Sequence, residues 1–420
     1  MRPKHFLLLE KVNTMGITNI LSYFIMAFLL TAPMKFGIVS NAIATNNTPI
    51  ETFEELPLSG SQVYVIDSVL QRRLKRNGFR GTALVAYKNQ IIMQYAHGYA
   101  DYRSKQKISL ESSFQLASVS KSFTAASVML LKERGLLDFN DNVLKYIPEF
   151  PYDNITIKEL LQHTSGLQNY MYLVDNYWKN DSLITNEDVL DLIVKYNLPL
   201  NNRPGRRFLY SNTGYAMLAL IVERVSKQPF SSFVKENIFE PVGMHHTFTF
   251  NRAVFDTISP KVVGYKRRGG RLYRYNYEPN DMVLGDKSVY SSVNDLFLYL
   301  KALNSFQIVR KETLEEAYTK GKTSRYNRSF NYGYGWRLKQ DHDKDLVYHN
   351  GLWHGFSSTL TRDMNSDITV ILLNNTTASI SSIKMDLLDI AKKELSTMLI
   401  SQDNSTKMAN SPSIISEPGS

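Results

Sequence analysis

Cysteine is absent from the 420-residue chain. That excludes disulfides, thiolate zinc sites, iron–sulfur clusters, cysteine nucleophiles and lipid attachment through a thiol, so the fold stands on core packing alone. Long blocks of one charge are missing as well. Lys and Arg outnumber Asp and Glu by 49 to 39 and the net charge is +10, yet the longest basic run is Lys266-Arg267-Arg268. Scattered positive charge without a docking motif excludes nucleic acid as the expected partner. The chain has no Gly-x-Ser-x-Gly and no His-Glu-x-x-His, and Gly321-Lys322-Thr323 has Glu316 where a phosphate loop needs its first glycine. An α/β-hydrolase elbow, a zincin helix and a nucleotide loop therefore drop out. His245-His246, in a polar segment after Pro241, reads as solvated, and no metal or cofactor is expected.

What is present suits a globular protein. The 43% hydrophobic and 12% aromatic content argues against disorder over most of the length. One long apolar run exists, at the start. Arg2, Lys4 and Lys11 precede an uncharged stretch from Val12 to Met34 with its apolar centre at Ile20 to Leu30, and Ala42-Ile43-Ala44 follows. This order is that of an export signal with a small-x-small cleavage site, or of an uncleaved anchor just long enough to span a bilayer. Both readings place the remainder in a periplasmic or extracellular compartment, with membrane contact only through that segment. The expected organisation is a leader at 1–44, a linker at 45–60, one domain at 61–400 and a disordered tail at 401–420.

Short apolar runs predict strands at Gly81–Tyr87, Gln90–Tyr95, Asp345–His349, Phe356–Arg362 and Ile368–Asn374. Helical spacing predicts Ser118–Arg134, Ile157–His163, Glu187–Tyr196, Gly214–Ser226, Asn294–Leu303 and Ser382–Leu399. Strands at both ends with helices between them imply one sheet built from both termini and an inserted helical region, an α+β (α/β) plan with a cleft.

Three short motifs carry chemistry. Ser118-Val119-Ser120-Lys121 opens the long helix. Positions i and i+3 share a helical face, so the Lys121 amine can sit beside the Ser118 hydroxyl and serve as its base. A plain N-cap serine would look the same in isolation, but the following residues are apolar nearly all round. Tyr210-Ser211-Asn212 lies between a Pro204-Gly205 turn and an apolar helix. A phenol beside an ammonium can act as a general base, whereas the bland alternative is a helix cap with a packed tyrosine. His349-Asn350-Gly351-Leu352 ends one strand, and Gly351 permits close approach of backbone to a ligand. A zinc site at His349 and His354 is disfavoured by the absence of nearby carboxylate partners.

Taken in order, Ser-x-x-Lys, Tyr-x-Asn and His-x-Gly resemble the penicillin-recognising serine hydrolases. The likeness is greatest to the class C β-lactamase-like group with its D-aminopeptidase, D,D-carboxypeptidase and esterase members. It extends from about residue 65 to 395 and includes Phe114-Gln115-Leu116-Ala117, His163-Thr164-Ser165-Gly166-Leu167, Gly285–Ser292 and Gly333-Tyr334-Gly335-Trp336. The resemblance implies a β-lactamase/transpeptidase-like fold, an antiparallel sheet flanked by helices beside an all-helical region. It implies that Ser118 is acylated, that Lys121 and Tyr210 relay its proton, and that Asn212 orients Lys121 or the substrate amide. The oxyanion would lie between the backbone N–H groups of Ser118 and Leu352. The third motif begins with His349 where a β-lactamase has lysine, and a neutral imidazole is a poorer carboxylate anchor. The resemblance then favours an ester or a peptide, cell-wall derived peptides included, over antibiotics. A penicillin-acylated sensor with little turnover and a true β-lactamase are the alternatives.

Overall fold

The computed structural model describes residues 58–179, 182–251, 262–276, 278–324, 328–341 and 343–409, with backbone alone over 399–409. The leader expected at 1–44, most of the linker and the end of the tail lie outside the described residues.

Helix α1 (Gly60–Arg76) opens on a capping box in which Ser59 and Gln62 satisfy each other's backbone N–H groups. Strands β1 (Gly81–Tyr87) and β2 (Gln90–His97) follow as a hairpin. After the helical region come β3 (Arg337–Asp341), β4 (Lys344–Trp353), β5 (Phe356–Asp363) and β6 (Ile368–Asn374). The six form one sheet in the order β3-β4-β5-β6-β1-β2, with every neighbouring pair antiparallel. The two ends of the domain thus complete one sheet, as the sequence pattern predicts.

Strand periodicity sorts the core into two layers. Ala83 and Val85 of β1, with Val370 and Leu372 of β6, face Ile66, Leu70 and Leu74 of α1 and Leu387 and Leu388 of the C-terminal helix (Ser381–Ala409). Leu84, Ala86, Ile371 and Leu373 face the other way, into the core shared with the helical region. That C-terminal helix runs past the Leu399 expected from its apolar pattern.

Within the helical region, helix α2 (Lys121–Glu133) is buried on nearly every side and packs against α3 (Asn212–Ser226), which is equally enclosed. A short three-stranded sheet ties Phe114–Gln115 and Phe248–Thr249 to Val289–Ser291. This places the segment before α2 beside the segment around Lys287.

Two of the boundaries that differ from the sequence pattern lie at the motifs. The helix expected from Ser118 begins at Lys121, preceded by a 3-10 turn over Ala117–Ser120. The strand expected to end at His349 continues to Trp353, because its ladder with β5 extends to the pair Trp353↔Phe356. His-Asn-Gly carries little strand propensity, and pairing overrides it.

Candidate active site

The turn that carries Ser118 is set by backbone geometry. Ala117 lies in the left-handed region at φ 49°, which throws the chain into the 3-10 turn carrying Ser118. The turn is tied on both sides: Leu116 N–H donates to the Val289 carbonyl at 2.8 Å, and Ser120 Oγ accepts from Val289 N–H at 3.1 Å. Ser358 Oγ of β5 donates to the Leu116 carbonyl at 2.6 Å. Gly351 of β4 packs on the same spot, where an added Cβ would overlap the Leu116 carbonyl oxygen and Ser358 Oγ. Only glycine lets β4 pass this close to the turn.

Lys121, fully buried, reaches three oxygens: Asp286 carbonyl at 2.7 Å, Asn212 Oδ1 at 2.9 Å and Ser118 Oγ at 3.2 Å. Asn212, at the start of α3, and Ser118, before α2, are thereby joined through one amine. The Asp286 carbonyl is held from below. Thr124 Oγ1 donates to the Gly285 carbonyl at 2.7 Å, and Ser288, at φ 79°, donates to the Val283 carbonyl at 2.8 Å.

The sequence motifs do not reveal a second lysine under the first. Lys287 is buried, paired with Asp286 Oδ2 at 3.4 Å, and donates to Tyr170 Oη, which donates in turn to Asp286 Oδ2 at 3.2 Å. Burial pushes the Lys287 ammonium below the ordinary lysine range, and the Asp286 carboxylate opposes that shift. Burial, then Asp286, holds the Tyr170 phenol well above its usual value. The available signal was a charged Asp-Lys step inside an otherwise small and apolar stretch, Gly285 to Tyr290.

Tyr210 meets Lys121 through its ring, the amine lying 5.1 Å from the centroid. Its ring also rests on the buried imidazole of His163, centroids 4.2 Å apart, and His163 Nδ1 accepts from Ser211 N–H at 3.3 Å. His163, quoted only as part of a resembling segment, therefore shapes the Tyr210–Asn212 turn. The Arg337 guanidinium stands 5.3 Å from the Tyr210 centroid and 5.9 Å from that of Tyr332, and it forms no ion pair with a carboxylate among the described residues.

His349 lies beneath this layer, fully enclosed. Nδ1 is 2.8 Å from the Asn350 carbonyl and Nε2 is 3.0 Å from Tyr332 Oη. A carbonyl only accepts, so Nδ1–H donates to it and Nε2 accepts the Tyr332 proton. Burial, with Lys121 and Arg337 nearby, holds the His349 pKa well below the usual imidazole value. Both nitrogens of this neutral ring are engaged within the protein.

Leu352 is exposed near the end of β4. His354 and Gly355, both at positive φ, make a two-residue turn, so Trp353 and Phe356 form a hydrogen-bonded pair and Leu352↔Ser357 does not. The Leu352 N–H thus points away from β5. On its other side β3 pairs no further along β4 than Tyr348, leaving that N–H on an open edge beside the Ser118 turn. The hairpin tip is fixed by Trp353 Nε1 donating to Asp281 Oδ1 at 2.9 Å and by His354 between Asp281 and Glu278. Burial opposes charge on His354, but those carboxylates hold its pKa above the ordinary value.

A serine in a 3-10 turn, a lysine opening the helix behind it, a carbonyl-lined seat for the amine and an edge N–H from an antiparallel sheet form the candidate site. The chain belongs to the Beta-lactamase family, whose profile matches residues 66–393. It is 33% identical over 316 residues to penicillin-binding protein 4* of Bacillus subtilis, covering 72% of this chain and 69% of that one. The structure superposes on a penicillin-binding protein from Bacillus halodurans with a TM-score of 0.68 at 26% identity, covering 76% of this chain and 98% of that one. D-amino acid amidase from Ochrobactrum anthropi shares the fold with a TM-score of 0.64 at 22% identity, covering 81% and 99%. The β-lactamase/transpeptidase fold expected from the motifs is therefore the fold of this chain.

Proposed function

We propose that this chain is an exported hydrolase that cleaves an amide or ester bond of a small or peptide substrate through an acyl-enzyme on Ser118. The seat of Lys121 carries the reading. As a neutral amine it has two hydrogens, and the Asn212 and Asp286 oxygens accept both. Its lone pair then faces Ser118 Oγ. Lys121 removes the hydroxyl proton as Oγ attacks the substrate carbonyl carbon. The oxyanion is received by the N–H groups of Ser118 and Leu352, each donor of this kind being worth about 3 kcal/mol in the transition state. Lys121, with Tyr210 beside it, returns the proton to the leaving amine or alcohol, and water completes hydrolysis by the reverse relay. Export rests on the basic, apolar and small-residue order of the leader.

The third motif acts through its backbone in this reading. His349, enclosed and neutral, braces Tyr332 and the strand. The positive charge that lysine would have supplied comes from Arg337, which favours a substrate bearing a carboxylate, as a peptide does. Turnover separates this reading from a sensor. With a short acyl ester, a D-amino acid dipeptide and penicillin, product release at many cycles per Ser118 from the ester or the dipeptide supports a hydrolase. A stoichiometric burst alone with all three would leave a sensor.

A further inference from the structure

Beside the third-motif hairpin stands a second hairpin with no role in the acyl-transfer site. Its strands, Tyr265–Arg268 and Arg271–Arg274, form a two-stranded ribbon whose one bridge to the rest of the fold, among the described residues, is Tyr265 to Thr376 at its base. The turn between them is Gly269-Gly270, and its five cations, Lys266, Arg267, Arg268, Arg271 and Arg274, are all exposed, with no acidic residue between them. None forms an ion pair with a described carboxylate. Arg268 lies directly opposite Arg271 in the register, an arrangement that destabilises a two-stranded ribbon already marginal by itself. The ribbon is nevertheless firmly rooted. Tyr265 Oη donates to Asp101 Oδ1 at 2.7 Å, Tyr265 N–H donates to the Asn375 carbonyl at 2.9 Å, and Tyr275 N–H donates to the Gly264 carbonyl at 3.0 Å. The Tyr275 ring stacks on His354, centroids 5.3 Å apart, two residues beyond Leu352. A rooted ribbon that concentrates like charge at the wall of the site departs from stability rules in a way that marks function.

We propose that the hairpin from Tyr265 to Arg274 is a docking arm for a soluble polyanion, a chain of repeated phosphate or carboxylate groups, held beside the acyl-transfer site. Register places Arg267 and Arg274 on one face of the ribbon and Lys266, Arg268 and Arg271 on the other. A flexible chain can thread along the ribbon and meet cations on both faces. Successive cations on one face lie about 7 Å apart along a strand, a spacing that a polymer with short charged repeats can match. A bilayer would meet one face, and it would be served by an apolar tip, whereas this tip is Gly-Gly.

Binding is measured on the full chain by anisotropy with labelled polyphosphate and labelled poly-glutamate, across a salt series, with phosphatidylglycerol vesicles in a parallel arm. The expected result is salt-sensitive binding of either polymer. In the variant carrying Arg267→Gln, Arg268→Gln and Arg271→Gln, affinity should fall at least tenfold and the log–log salt slope should shrink by about two. A control with Arg72→Gln, Lys75→Gln and Arg76→Gln on α1, also exposed and basic, should bind as the wild type does. Hydrolysis of a small ester should be unchanged in both variants, which keeps this test separate from that of the acyl-enzyme. Equal loss in the two variants would reduce the effect to net charge and overturn the proposal. So would vesicle binding without polymer binding, or no binding by the wild type.

Discussion

Asp286 is the ion-pair partner of the buried Lys287, and it also supplies the carbonyl that seats Lys121. Removing one partner of a buried pair leaves the other charge uncompensated, at about 3–5 kcal/mol. Lys287→Met is therefore expected to lower unfolding stability by that amount, read from urea melts. Acylation should also slow, because the Asp286 backbone is no longer pinned through its side chain. The double change Lys287→Met with Asp286→Asn removes both charges and should recover most of the stability. A single variant as stable as wild type would mean that the pair does not hold the shelf under Lys121. His349 follows the same logic in the opposite sense. An ammonium at that enclosed position would face Lys121 and Arg337 without a carboxylate, so the site accepts a neutral ring there.

At the scale of elements, β4 and the Ser118 turn depend on one another. Gly351→Ala would drive a methyl into the Leu116 carbonyl and Ser358 Oγ, and Ala117 Cβ lies 3.1 Å away. The strand must shift, and with it the Leu352 N–H. Acylation is expected to fall by about 10²–10³-fold, the loss of one oxyanion donor, with a stability loss of about 1–3 kcal/mol from overpacking. Stopped-flow acylation with a chromogenic ester measures the first and thermal melts the second. Normal acylation would show that β4 does not supply a donor. This dependence explains what the sequence could and could not show. Strands that read as continuous apolar runs, such as Gly81–Tyr87 and Ile368–Asn374, were legible to the residue. Helix α1 was not, because only Ile66, Leu70 and Leu74 are buried along its 17 residues. The reach of β4 to Trp353 was hidden because it comes from pairing, not from the propensities of His349, Asn350 and Gly351. Ser118 and Lys121 could be chosen from their spacing and Asn212 from the resemblance, and the three are brought together. Asp286 could not, since it takes part through a carbonyl that every residue carries.

At the scale of the whole molecule, two imidazoles among the described residues are fully buried, His163 and His349, and burial holds both pKa values well below the ordinary one. The unfolded chain protonates them near pH 6.5 while the folded chain does not, so below that pH unfolding takes up protons and stability falls. The expected slope is about 1.4 kcal/mol per pH unit for each, near 2.7 for the pair. His354 works in the other sense. Its contribution is complete below pH 6.5 and is lost as pH rises through its elevated folded value. Urea midpoints at pH 7, 6 and 5 should drop steeply toward acid, and His163→Gln should remove about half of that slope. A flat profile between pH 6 and 5 would show that these rings titrate normally. Packed without cysteine on both faces of its sheet, the fold brings the Lys121 amine within 3.2 Å of Ser118 Oγ. The most direct test compares the rate at which a short acyl ester modifies the wild type and Lys121→Met, with the adduct mapped by mass spectrometry. This account requires an adduct on Ser118 in the wild type, none in Ser118→Ala, and acylation slowed by about 10²–10⁴-fold in Lys121→Met. An adduct on another serine, or a Lys121→Met rate equal to wild type, would contradict it.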